Sequence, residues 1–265
     1  MRLVSIASGS SGNCIYIGSE EHHLLIDDGI SGRQAEKGLN ALGLKPEDLD
    51  GILVTHEHSD HVKGLGVFSR RYGLPVYATA GTIGAIRRDA SLGELPEGIF
   101  HEIRREADFC IGDLVVHPFA VPHDAADPVA YRVSCGEKRA AVVTDLGEYD
   151  ERILAELQKL DAVLVEANHD IRMLQAGPYP WPLKARILGE KGHICNETAG
   201  QLICRILHDN MKAILLGHLS KENNYPALAL ETVKMEITMG ECPYAASDFP
   251  IQAAPRSALS SCISW

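Results

Sequence analysis

Positions 56 to 61 hold three histidines and an aspartate, in the run Thr55-His56-Glu57-His58-Ser59-Asp60-His61. Ordinary packing gives no reason to place these side chains next to one another. Imidazole and carboxylate are the ligands of borderline divalent metals. The run before them, Gly51-Ile52-Leu53-Val54-Thr55, is apolar and β-branched and predicts a short buried strand. From Val62 the apolar positions Leu65, Val67 and Phe68 lead towards Tyr72 and predict a helix. The cluster therefore falls between a strand's carboxyl end and a helix, where α/β chains build their sites.

Spacing refines this reading. His56 and His58 are two apart and can face one side of an extended loop. Asp60 and His61 follow at the start of the helix and can face a second centre. One metal takes about three or four protein ligands, and this loop alone offers four, so the pattern points to a two-metal site. A solvated polar loop is the ordinary reading of an isolated histidine, and His22, His23, His101, His117 and His208 are read that way.

The rest of the chain supplies strands first and then strands with helices interleaved. Residues 3–7, 14–17, 23–26 and 75–79 predict short strands, with a helix over 32–42 capped by Ser31. The middle predicts strands over 109–121, 129–134 and 138–144, the last two joined by a turn at Cys135-Gly136-Glu137. Helical spacing marks 150–160 and 169–175, and 162–165 is a buried strand. Pro178, Pro180 and Pro182 predict an irregular stretch. A helix over 196–207, a strand over 213–217 and a helix over 227–239 follow. This α/β (α+β) order fits two sheets sandwiched between helices. Residues 1–240 are expected to form a single hydrolase domain, and 241–265, rich in Ala, Ser and Pro, a loose tail.

The His-x-His-x-Asp-His run after a short strand resembles the signature of the metallo-β-lactamase-fold hydrolases. Gly9-Ser10-Ser11-Gly12-Asn13-Cys14, Glu166-Ala167-Asn168-His169-Asp170, Gly177-Pro178-Tyr179-Pro180 and His218-Leu219-Ser220-Lys221-Glu222-Asn223-Asn224 are similar to the YycJ/WalJ branch. The resemblance implies a four-layer αββα sandwich. It implies His56, His58 and His123 on one metal, Asp60, His61 and His218 on the other, and Asp145 between them. It also implies two divalent ions, with zinc suited to the imidazoles and manganese to the carboxylates. The activity it implies is 5′ to 3′ exonuclease action on DNA, connected with DNA repair. The chain departs from the branch at Cys195, where a serine is common, and at Asp28, where a small residue is common.

Composition bears on these expectations. With 265 residues and 45% hydrophobic content the chain can bury one large core. No apolar run approaches the roughly 20 residues of a membrane span, and Leu3 to Ala7 is too short for a signal sequence. Seven cysteines without a C-x-x-C pair argue against a disulfide framework and for a reducing cytoplasm. Cys14, Cys135, Cys195 and Cys204 read as packing residues. A net charge of −11 is unusual for a partner of nucleic acid, but two divalent ions would reverse the sign locally.

Outside the ligand set, the Gly-Ser turn carrying Ser10, Ser11 and Asn13 could cradle a phosphate or could simply link two strands. His169 could act as general acid. His193, Asn223 and Asn224 are candidate substrate contacts, with polar turns as their alternative reading. The leading expectation is phosphodiester hydrolysis on two metals, with Asp145 bridging and Asp60 also orienting the nucleophile. DNA is a better expectation than RNA. The same centre could instead serve a small cyclic or linear phosphodiester, a lactone or a thioester. A third possibility, an adaptor with an inert metal scaffold, predicts a missing ligand, and none is missing.

Overall fold

The computed structural model describes residues 1–265 and builds two seven-stranded sheets. The first runs in the order β14 (Ile263–Ser264), β1 (Arg2–Ala7), β2 (Cys14–Gly18), β3 (His23–Ile26), β4 (Gly51–Leu53), β5 (Val76–Thr79), β6 (Phe100–Ile103). The second runs β13 (Ile251–Ala253), β12 (Ala213–Gly217), β11 (Ala162–Glu166), β10 (Lys138–Val143), β9 (Val129–Cys135), β8 (Leu114–Ala120), β7 (Phe109–Ile111). Pairing is parallel from β3 to β6 and from β10 to β13. The central strands are buried on both faces, which explains their unbroken apolar runs.

Three apolar clusters give four layers. Leu3, Ile15, Leu24, Val116, Tyr131, Leu164 and Leu215 interleave between the sheets. The outer face of the first sheet packs against α1 (Gly32–Ala41), α3 (Leu65–Tyr72) and α4 (Ala80–Arg88) through Leu39, Phe68 and Ile86. The second packs against α5 (Glu151–Glu156), α8 (Asn196–Ile206) and α9 (Pro226–Met239) through Leu154, Leu202 and Val233. This is the expected αββα sandwich. No helix is long and apolar enough to cross a membrane.

Four local readings are corrected. Residues 241–265 are not a loose tail. β13 pairs with β12 and β14 with β1, so this segment supplies an edge strand to each sheet. Its short strands carried too little periodicity to register in the sequence. Residues 109–121 form a hairpin rather than one strand, because Gly112, at φ +56°, turns the chain between β7 and β8. The Pro178–Pro182 stretch leads into α7 (Trp181–Leu188), with Pro182 in its first turn, where the missing N–H costs nothing. Cys204 is joined to Cys242 across 38 residues, with Cα atoms 5.7 Å apart, so it is not a free packing thiol. Cys14, Cys110, Cys135, Cys195 and Cys262 are unpaired.

Candidate metal centre

The predicted ligands come from four strand ends on one rim of the sandwich. His56 and His58 follow β4, and Asp60 and His61 lie in the single turn α2 (Ser59–Val62). His123 follows β8, Asp145 follows β10 and His218 follows β12. Asp145 and His218 adopt φ +58° and +50°, and Asp27, at the end of β3, adopts +62°. Left-handed backbone is uncommon for a non-glycine residue, and Asp and His are among the side chains that tolerate it. At all three positions it turns a side chain off the end of its strand into the centre.

Side-chain distances define two nests. The ligand atoms of His56, His58 and His123 lie within 4.8 Å of one another, as do those of Asp60, His61 and His218. Asp145 stands between them. Its Oδ2 is 3.0 Å from His61 Nε2, and its Oδ1 is 3.5 Å from His123 Nε2 and 3.7 Å from His218 Nε2. His56 Nε2 and Asp145 Oδ2 are buried without a hydrogen-bond partner. Buried polar atoms are normally satisfied, so orphaned ligand atoms among His and Asp donors are what a divalent cation fits. The centre binds divalent metal.

Each ligand is held from behind. His61 Nδ1 lies 2.7 Å from Asp27 Oδ2, and Thr55 Oγ1 donates to the same carboxylate at 2.9 Å. Thr55 Oγ1 also sits 3.0 Å from His56 Nδ1. His123 Nδ1 donates to Gly192 O at 3.2 Å. Glu166, fully buried at the end of β11, places Oε1 3.4 Å from His218 Nδ1 and 2.7 Å from His193 Nδ1. Such partners fix imidazole tautomers and strengthen ligands. Burial would raise the Glu166 carboxyl, but His193 and His218 outweigh it and hold it down at about 2. Burial would lower His218, but Asp145, Asp60 and Glu166 push it up to about 10. Burial lowers His193 as well, and Glu166 more than reverses it.

The remaining candidates separate sharply. His193 lies in the centre, its ring 5.2 Å from that of His123 and 5.4 Å from that of His218. His169 is buried near Glu166 and His193, its Nδ1 without a hydrogen-bond partner, and desolvation pulls it down to about 4. Ser10 and Ser11 are exposed at the tip of their turn. Asn13 is fully buried, with its Oδ1 accepting from Gly9 N at 3.0 Å, so it shapes that turn. Asn223 and Asn224 are buried too. Asn224 Nδ2 donates to Ala167 O, Asn168 O and Asn196 Oδ1, so it is a structural clasp. Asn224 looks available in sequence because it stands in a polar run, and tertiary contacts consume it, whereas Asn223 Nδ2 meets only Ser220 Oγ and its Oδ1 has no partner.

Sequence reasoning missed Asp27 and the role of Glu166, although both end apolar strands, a signal that could have been used. It also missed Arg256. The 241–265 segment brings this side chain against Gly9, where Nη2 donates to Leu219 O at 3.1 Å and Nη1 has no partner. Asp28 lies fully buried below the loop, its backbone N–H donating to His61 O at 2.9 Å. A cleft of about 610 Å³ lies beside Cys204 and Cys242, and none of its lining residues belongs to the centre.

A dinuclear-type ligand nest at the strand ends of an αββα sandwich defines a metallohydrolase, and the chain belongs to the metallo-beta-lactamase superfamily, whose family profile matches residues 7–186. Among characterised proteins it is 40% identical to exodeoxyribonuclease WalJ of Streptococcus pneumoniae serotype 2 (strain D39 / NCTC 7466) over 236 residues, 89% of this chain and 88% of that one. It is 41% identical to exodeoxyribonuclease YycJ of Bacillus anthracis over 230 residues, 86% of each chain. The crystal structure of the metallo-beta-lactamase fold protein YhfI from Bacillus subtilis superposes with a TM-score of 0.70 over 98% of both chains at 15% identity.

Proposed function

We propose that this chain is a metal-dependent exodeoxyribonuclease that hydrolyses phosphodiester bonds of DNA from the 5′ end, in DNA repair or processing. The observation that carries the reading is the pair of nests sharing Asp145, in a chain 40% identical to an enzyme named for that activity. His56, His58 and His123 would hold one ion and Asp60, His61 and His218 the other, with Asp145 common to both. Zinc suits the five imidazoles, and manganese is the alternative. Two bound divalent ions supply Lewis acidity: they activate water near neutral pH and neutralise charge on the phosphate.

The chain's own residues do the rest. Asp60, partly exposed beside His218, orients the attacking water. His193 fits the general acid better than His169 does. Glu166 lies 2.7 Å from its Nδ1 and favours the charged ring, which would leave an Nε2 proton for the departing 3′ oxygen. Desolvation pulls His169 down to about 4, which disfavours its charged form. Ser10 and Ser11, exposed at the tip of their turn, would meet a phosphate oxygen. We infer a cytoplasmic location, where DNA is processed and where Cys204 and Cys242 would be reduced.

The test is hydrolysis of end-labelled single- and double-stranded DNA, with matched RNA, by protein stripped of metal and resupplied with Zn²⁺ or Mn²⁺. Metal-dependent shortening from the 5′ end, absent in Asp60→Ala and His61→Ala, is the expected result. No cleavage by protein carrying two metals per chain would move the assignment to a small ester or diester.

A further inference from the structure

The segment from Ile171 to Gly189 contains Arg172, Lys184 and Arg186 and no acidic residue, in a chain whose net charge is −11. It forms α6 (Ile171–Ala176) and then α7, which buries none of its residues. α7 packs only through a half-buried face carrying Leu183 and Ile187, so its polar anchors are informative. At one end, Lys184 Nζ donates to Gln175 O and Gly177 O at 2.7 and 2.8 Å. There Gly177 lies against Asn223 Oδ1, in the loop that follows His218, and a side chain at Gly177 would collide with it. At the other end, Arg186 Nη2 donates to Asp124 Oδ1 at 3.0 Å, next to His123. His193 N donates to Ile187 O at 3.0 Å. The segment thus runs from the loop of one metal nest to the loop of the other.

Its outer side is aromatic. Trp181 is 74% exposed at the start of α7, and Leu188 is exposed at its end. Tyr225, 52% exposed, follows the Asn223–Asn224 clasp next to Gly177. Trp181 and Tyr225 thus offer large ring faces to solvent. Cations with aromatic faces, on an otherwise acidic chain, are the chemistry of a single-stranded polynucleotide platform, where bases stack and the backbone is held electrostatically.

We propose that α7 and its flanks form the strand-binding platform of this enzyme, with Trp181 stacking on an unpaired base of the strand that leads into the metal centre. Arg172 lies on the backbone side and meets a phosphate. The proposal rests on the nuclease reading above and deepens it by naming an unpaired strand as what the site receives.

The test uses metal-loaded protein with two substrates: a 5′-labelled deoxythymidine oligonucleotide, and bis(p-nitrophenyl) phosphate, which is too small to reach α7 from the metals. Loss of one stacked base corresponds to about a five- to hundred-fold change. Trp181→Ala is expected to raise KM for the oligonucleotide by that factor, while Trp181→Phe stays within about three-fold of wild type because a ring remains. kcat/KM on the small diester is expected to be unchanged, because the interaction removed is one that only the longer strand makes. Arg172→Ala is expected to flatten the dependence of log KM on log salt by about 0.7, the value for one single-strand phosphate contact. An unmoved oligonucleotide KM in Trp181→Ala, or equal losses on both substrates, overturns the platform and leaves the nuclease reading standing. A wild-type protein that cleaves the small diester but no DNA strand overturns both.

Discussion

Asp27 Oδ2 lies 2.7 Å from His61 Nδ1, with both side chains fully buried. The carboxylate also accepts from Thr55, so one residue at the end of β3 orders the loop that carries four ligands. Asp27→Asn keeps the shape and removes the charge. Metal affinity is expected to fall about 10- to 100-fold, as for other partners of ligating histidines. Metal content after dialysis against graded chelator measures it, and full retention of metal would show that Asp27 only packs.

Glu166 and His193 give a prediction that separates two histidines. His193→Gln is expected to lower kcat about 100-fold or more, within the range for general acids, with both metals retained. It should also flatten the alkaline limb of the pH–rate profile. His169→Gln is expected to leave that limb in place. If His169→Gln alone removes the limb, the roles are reversed.

Metal-free protein is expected to have a bounded pH range of stability. His218 is raised from its ordinary 6.5 to about 10, so its contribution is complete below 6.5 and is lost as pH rises towards 10. Glu166 is lowered from 4.5 to about 2, so its contribution is complete above 4.5 and is lost as pH falls towards 2. These two groups favour the metal-free fold most between about pH 4.5 and 6.5, and His169, lowered to about 4, moves the melting maximum to the upper end of that window. Metal replaces the proton on His218, so loading should release protons and move the maximum upward. A maximum of the metal-free form above pH 8 would contradict this.

A side chain on Gly29 would run into the backbone carbonyl of Asp60. Gly29→Ala is therefore expected to push α2 away from β3, at a cost of about 1–3 kcal/mol and with weakened metal uptake. Urea denaturation and metal content check both, and a wild-type midpoint would show that the loop can yield.

The disulfide offers an independent check on stability. Closing a loop of 38 residues should stabilise the oxidised form by about 2–4 kcal/mol. Cys242→Ser and treatment with reductant should lower the melting temperature alike, without altering metal content. An unchanged melt under reductant would show that the pair contributes nothing in solution.

The metal loop was legible because four ligands stand in one run behind a strand, and His123, Asp145 and His218 each end an apolar stretch. The two-sheet architecture followed from the same strand ends. What stayed hidden depends on distance in space. Asn13 and Asn224 are polar and sit in turns, and only the folded chain shows that backbone groups occupy their side chains. Glu166 reads as the polar end of a strand until His193, 27 residues on, is seen at 2.7 Å. Three prolines look like a break in structure, yet one of them begins a helix. Cys204 and Cys242 carry no spacing signature, because the helix pair that brings them together has none.

The edge strands β13 and β14 come from the last part of the chain but pair with β12 and with β1, where Arg2 faces Ser264. While the ribosome is still making residues 251–264, β1 therefore has one flank open to the cell, and so does β12. A nascent sheet with free edges is a target for mispairing with other chains. Synthesis of this protein thus passes through an interval in which chaperone cover matters most, and it ends only when the final strands swing back across the whole molecule.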